Sequence, residues 1–149
     1  MALDFNKYAQ EGNQFLNHLA NKLGHPKEKG QTSIILKAVL HTLRDRLTVS
    51  ESFDLMAQLP MFLKAVYVDN WKYTERPKRL KNIDEFKEEV KKEQEQLGET
   101  QFNWEMPTSD IIKKVFGVIS SNYLSEGELK DIMAQLPEEM EEVIRESAK

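Results

Sequence analysis

The chain reads as an all-α protein, two tandem four-helix repeats packed into one compact helical domain. Three observations predict this. The heptapeptide Asp54-Leu-Met-Ala-Gln-Leu-Pro60 returns at position 131 as Asp131-Ile-Met-Ala-Gln-Leu-Pro137, 77 residues further along a chain of 149. At the same offset Ile35 meets Ile112, Ala38 meets Val115, Val39 meets Phe116, Leu63 meets Met140 and Val66 meets Val143. These matches recur at spacings of three and four, the period of a buried helical stripe. No segment alternates with period two, and no Asn-Gly or Asp-Gly hairpin turn occurs. A copy offset by half the chain is a duplicated unit. The whole chain, 1–149, reads as a single domain with repeats at about 4–70 and 82–148 and a basic, aromatic linker at 71–81.

The elements follow in order. A first helix is expected from about Asp4 to Leu23, with Phe5, Tyr8, Phe15, Leu19 and Leu23 on one face and Gly24 and Pro26 ending it. Thr32 or Ser33 is the expected cap of a second helix through Ile34, Ile35, Ala38, Val39, Leu43 and Leu47. Thr48-Val-Ser-Glu51 is a capping box that opens a short third helix, and Ser125-Glu-Gly-Glu128 repeats it. Pro60 closes the third helix and, placed at the first position of the next, starts a fourth that runs to about Val68.

The second round places Phe86 and Val90 in the roles of Phe15 and Leu19, with Ile83 and Leu97 along the same stripe. That offset is 71, so about six extra residues fall in the polar stretch Gly98 to Pro107, which carries Phe102 and Trp104. Thr108 or Ser109 should cap a sixth helix, Ser125 a seventh, and Pro137 should start an eighth. The recurring Gln58 and Gln135, beside Pro60 and Pro137, read as structural corners in which the amide donates to carbonyls freed by the proline. On that reading Gln58→Ala lowers the melting temperature.

Composition narrows the function classes. A chain of this length buries about 70% of its unfolded surface. Charged residues make up 31%, with a net charge of −4, which does not suggest a general nucleic-acid binder. With no cysteine, disulfides and thiolate metal sites are excluded, as suits a reducing compartment. The N-terminus lacks the basic and apolar regions of a signal peptide. The most apolar stretch, Leu59 to Val68, is too short to span a bilayer. A cytoplasmic protein with no membrane contact is the expectation.

Catalytic and metal chemistry are expected to be absent. The residues three before His18, His25 and His41 are Phe15, Lys22 and Ala38, so the Glu-x-x-His motif of di-iron bundles is missing. His41, inside an apolar helix, reads as a packed histidine. There is no phosphate-binding glycine loop, no Gly-x-Ser-x-Gly elbow and no His-Glu-x-x-His. No cofactor, no metal and no enzymatic activity is expected.

Two features invite a binding function. Met61-Phe-Leu-Lys-Ala-Val-Tyr-Val68 is apolar nearly all round, so it is either covered by the chain or docks a protein partner or a second copy. Phe62, Tyr67, Val68 and Trp71 are the candidate partner surface. The alternative is polyanion or nucleic-acid binding by residues 71–81, where Lys72, Arg76, Lys78, Arg79 and Lys81 against Glu75 give a local charge of +4 beside Trp71 and Tyr73. The favoured function is a non-catalytic helical module acting through protein–protein interaction or self-association.

Phe15-Leu16, the helix ending Leu43-Arg-Asp-Arg-Leu47, the doubled Ala-Gln-Leu-Pro corner and the Trp71 link together resemble a bacterial family catalogued as domain of unknown function 2267. The resemblance covers essentially the whole chain. It implies an all-helical tandem repeat in a prokaryotic cytoplasmic protein, and it implies no activity.

Overall fold

The computed structural model describes residues 4–72, 83–96 and 106–134. These form seven helices and no strand: α1 (Phe5–Lys22), α2 (Lys29–Arg46), α3 (Val49–Met56), α4 (Met61–Val68), α5 (Ile83–Gln96), α6 (Thr108–Tyr123) and α7 (Glu126–Met133). The expected eighth helix with Gln135 and Pro137, the basic residues Arg76, Lys78, Arg79 and Lys81, Leu97, and the Phe102 and Trp104 loop lie outside the described residues.

The ends of α1 follow local chemistry. The Asp4 carboxylate accepts from the backbone N–H of Asn6 at 3.1 Å and of Lys7 at 3.4 Å, which satisfies donors the first turn cannot use itself. At the other end Gly24 takes φ +80°. Its N–H bonds the Asn21 carbonyl while that of His25 bonds Ala20, the paired closure that a left-handed residue permits. Phe15, Leu19 and Leu23 are buried as the stripe predicts, but Phe5 is 74% exposed. The first turn of α1 overhangs the bundle, with Tyr8 as the ring beside Phe5.

The start of α2 corrects the expected cap. The helix begins at Lys29 with Glu28 as its N-cap, because the turn after Gly24, closed by the Glu28 N–H to the His25 carbonyl, delivers the chain into the helix early. Thr32 therefore sits inside α2, fully buried, and its hydroxyl donates back to the Glu28 carbonyl at 2.9 Å. From Ile35 to Arg44 every residue except Lys37 is buried. A helix enclosed on all sides needs neighbours all round, and α2 packs against α1, α4, α5 and α6. Phe86 and Val90 of α5 are fully enclosed, and α3 lies against α7.

Thr48 makes the full capping box: its hydroxyl accepts from the Glu51 N–H at 3.1 Å and the Glu51 carboxylate accepts from the Thr48 N–H at 2.8 Å. Ser125 makes half of one. Its hydroxyl accepts from the Glu128 N–H but donates to the Glu128 carboxylate, which then does not return to the backbone. Two proline positions also shift. Pro60 is the N-cap of α4, one residue before the expected first position. Pro107, not Thr108 or Ser109, caps α6. Both prolines hold extended backbone, ψ 162° and 147°, directly before a helix.

The α3–α4 corner overturns the role expected of Gln58. The turn closes through its own backbone, with the N–H groups of Ala57, Gln58 and Leu59 bonding the carbonyls of Phe53, Leu55 and Met56. The Gln58 side chain points to solvent and makes no hydrogen bond among the described residues. Successive tight turns leave the amide nothing to cap. Where α1 packs on α4, Gly12 faces Phe62, whose Cβ lies 3.4 Å from where a methyl on the glycine would stand, an ordinary contact distance. Gln58→Ala is accordingly expected to change stability by less than about 0.5 kcal/mol. Leu63→Ala, at a fully buried position, is expected to cost about 2–5 kcal/mol; urea denaturation of both variants checks the pair.

Candidate functional site

The most organised polar site lies where α2 meets the end of α4. His41 and Arg44, one turn apart on α2, share a face and are both buried. His41 Nε2 donates to the Val66 carbonyl at 2.8 Å. Arg44 Nη1 donates to the carbonyls of Tyr67 at 2.7 Å and Asp69 at 2.9 Å. Lys37, one turn earlier, lies 3.7 Å from the Asp69 carboxylate. Three side chains of α2 thus converge on the C-terminus of α4: His41 and Arg44 supply donors to its carbonyls, and the charges of Arg44 and Lys37 lie at the negative end of the helix dipole. Asn70 then takes φ +56°, a left-handed turn that asparagine tolerates.

The same site ties in two further helices. The Tyr67 hydroxyl lies 2.8 Å from Ser52 Oγ of α3, and burial pushes its pKa up to about 12. Trp71 packs edge-on to Tyr67, and the Arg44 guanidinium sits 5.8 Å from the Trp71 ring centre. From α5, Glu93 brings a carboxylate oxygen to 4.0 Å from His41 Nδ1. The His41 pKa lies below its ordinary value chiefly because burial disfavours the charged ring, with the Arg44 charge adding to this. The Val66 carbonyl and the Glu93 and Asp45 carboxylates oppose the shift without reversing it. The ring is therefore neutral near pH 7, with its proton on Nε2.

The candidate partner surface is dispersed by the fold. Tyr67 is 0% exposed and belongs to the core, because its side of α4 faces α2 and α3. Phe62 is half-buried, its ring 5.5 Å from Phe15 and 6.3 Å from Tyr123. Trp71 is half-buried on Tyr67 and Arg44, and Val68 is exposed. Of the candidate anion-binding residues only Lys72 is described, and it is exposed. The structure adds exposed apolar residues to these candidates: Val49 and Phe53 of α3, with Phe53 62% exposed, and Met61 of the apolar helix itself. A signal for two of them existed. The residues 77 positions after Val49 and Phe53 are Glu126 and Lys130, charged counterparts that mark an outward face. Arg44 also went unassigned, since a bond to carbonyls 23 and 25 residues away has no local pattern.

A cleft of about 280 Å³ opens beside the α3–α7 contact, lined by the apolar Leu47, Leu55 and Ile132 and the acidic Glu51, Asp54, Glu128 and Asp131. Glu51 and Glu128 are engaged at their own helix starts. No three His, Cys, Asp or Glu side chains among the described residues are arranged to hold a metal ion. No described helix is long and apolar enough to cross a membrane.

A family model described as "Uncharacterized conserved protein (DUF2267)" matches residues 12–143. The chain belongs to the DUF2267 family. The match includes α2 to α7 and most of α1, and so all of the α2–α4 polar site. No curated protein matches the chain, and the DUF2267 description carries no activity.

The lowered His41 pKa has a definite sign. Above about pH 6.5 both folded and unfolded chains hold the ring neutral. As pH falls below that, the unfolded chain takes up a proton that the folded one resists, so stability is lost. Urea midpoints at pH 8 and pH 5 are expected to show a smaller loss for His41→Gln than for the natural chain. Arg44→Met removes two hydrogen bonds to carbonyls and is expected to cost on the order of 3 kcal/mol, with Arg44→Lys recovering part of it.

Proposed function

We propose that this DUF2267 chain is a non-catalytic module of two tandem four-helix repeats that acts by binding another protein or a second copy of itself, through the outward apolar residues of α3 and α4. One observation carries the reading. Among the described residues, four of the five exposed large apolar side chains, Val49, Phe53, Met61 and Val68, fall on these two short helices. Single exposed apolar residues are ordinary; here they come in pairs, Val49 with Phe53 at i,i+4 and Met61 with Val68 at i,i+7, so each of two consecutive helices presents an apolar outward face from which a docking surface can be built. On α2, in contrast, His41 and Arg44 are turned inward to the carbonyls at the end of α4.

The repeat reading is supported by matched local roles. Thr48 and Ser125 are both N-caps, Leu55 and Ile132 are both buried, as are Met56 and Met133, and α3 packs on α7.

Sedimentation of the purified chain, with affinity capture from lysate of the source organism, tests the interaction. Phe53→Asp with Val68→Lys alters two solvent-facing positions, the lysine standing at the negative end of the α4 dipole, so the circular dichroism melt should stay within about 0.5 kcal/mol of the natural chain. A discrete protein or a self-associated species, present with the natural chain and lost with the variant, is the expected result. Unchanged recovery with the variant refutes this surface, and recovery abolished by nuclease points instead to the basic segment.

A further inference from the structure

A second cleft, of about 400 Å³, opens between α1, the start of α4 and the last turn of α6. We propose that it is a binding site for an alkylammonium group. The proposal is independent of the apolar surface of α3 and α4.

The floor of the cleft is aromatic. Phe15, Phe62 and Tyr123 form a triangle of rings with centres 5.5, 6.2 and 6.3 Å apart. Rings this close have no room between them, so a ligand lies on the cluster. The exposed part belongs to Phe62 and Tyr123, both half-buried. Ring faces carry partial negative charge and attract a cation. The wall is supplied by α1, where Glu11, Gln14 and His18 fall at spacings of three and four along one face, and by Asn122 of α6.

The Glu11 carboxylate makes the choice of ligand. Its charge reaches the Tyr123 phenol, reinforcing the upward shift that burial gives that group's pKa. Its ion pair with Lys7 is stretched to 4.0 Å, and Lys7 is largely in solvent, so a cation arriving on the ring floor displaces a weak partner. The amide oxygens of Gln14 and Asn122 can accept from an ammonium, and the Asn122 nitrogen is already committed to the Val118 carbonyl at 2.7 Å. A carboxylate over an aromatic floor repels phosphates and acids. A methylene chain bearing an amine satisfies both the rings and the charge. Two sources share this chemistry, a free aliphatic polyamine and a lysine side chain of another protein.

The test is an NMR titration of the full chain, reading the side-chain amides of Gln14 and Asn122. The probes are putrescine, Nα-acetyl-lysine methylamide and the uncharged butanediol. Saturable shifts with either amine, absent with the diol, are expected, together with about a tenfold weakening in Glu11→Gln. Tyr123→Phe keeps the ring and should bind as the natural chain does, whereas Tyr123→Leu should bind more weakly at an unchanged Glu11. Tighter binding of putrescine identifies a free polyamine as the source; tighter binding of the lysine derivative identifies a protein side chain. Shifts that fail to saturate, equal shifts with the diol, or amine binding indifferent to Glu11→Gln would overturn the site.

Discussion

A helix of eight residues makes few internal hydrogen bonds and leaves its last four carbonyls without partners inside it. Such a helix is unstable alone, since isolated helices shorter than about 12–15 residues are marginal in water. In α4 that deficit is met from outside. His41 and Arg44 of α2 donate to two carbonyls of its last turn, those of Val66 and Tyr67, and to that of the cap residue Asp69, and the positive charge of Arg44 lies at the negative end of the dipole. The arrangement of the first four helices depends on this junction. It sets the distance between α2 and α4, brings Tyr67 to Ser52 of α3 and holds Trp71 against the guanidinium.

Burial makes the junction selective. A guanidinium enclosed in an apolar interior is costly unless its donors are used. Arg44 uses Nη1 twice, while Nε has no hydrogen-bond partner and only the Asp45 carboxylate at 3.7 Å. That incomplete satisfaction means the site tolerates little displacement, because moving α4 outward would strand the charge. The neutral state of His41 follows from the same surroundings. Its Nδ1 faces Glu93 of α5, so the protonation state of one ring bears on contacts to both α4 and α5.

Much of this was legible in the residues, and the reasons for the failures are physical. The helices, the Thr48 and Ser125 caps and the Gly24 closure follow from interactions spanning two to five residues, which leave a mark in the local sequence. Phe15, Leu19, Phe86 and Val90 were legible because burial imposes a period. The start of α2 was misplaced because Thr32 forms an equally good bond back to Glu28, and a hydroxyl does not announce which it will make. Gln58 was misread because a backbone turn performs the task assigned to its amide. Tyr67 was placed on a surface because an apolar helix does not state which neighbour covers which side. The partners of Arg44, the ring triangle at Tyr123 and the Glu11 cleft arise from pairs far apart in the chain, where no pattern points ahead.

The junction also bears on how the molecule opens. Stretches with few external ties exchange their amide protons through local fluctuations, while stretches bonded into the core exchange only when larger units separate. The first turns of α1, where Phe5 overhangs, belong to the former kind. Although α4 is as short as any described helix, it cannot fray from its C-terminal end without leaving Arg44 enclosed and unpaired. Its slowest amides should therefore exchange in step with those of α2, making the two helices one cooperative unit despite the 23 to 25 residues that separate their bonded groups.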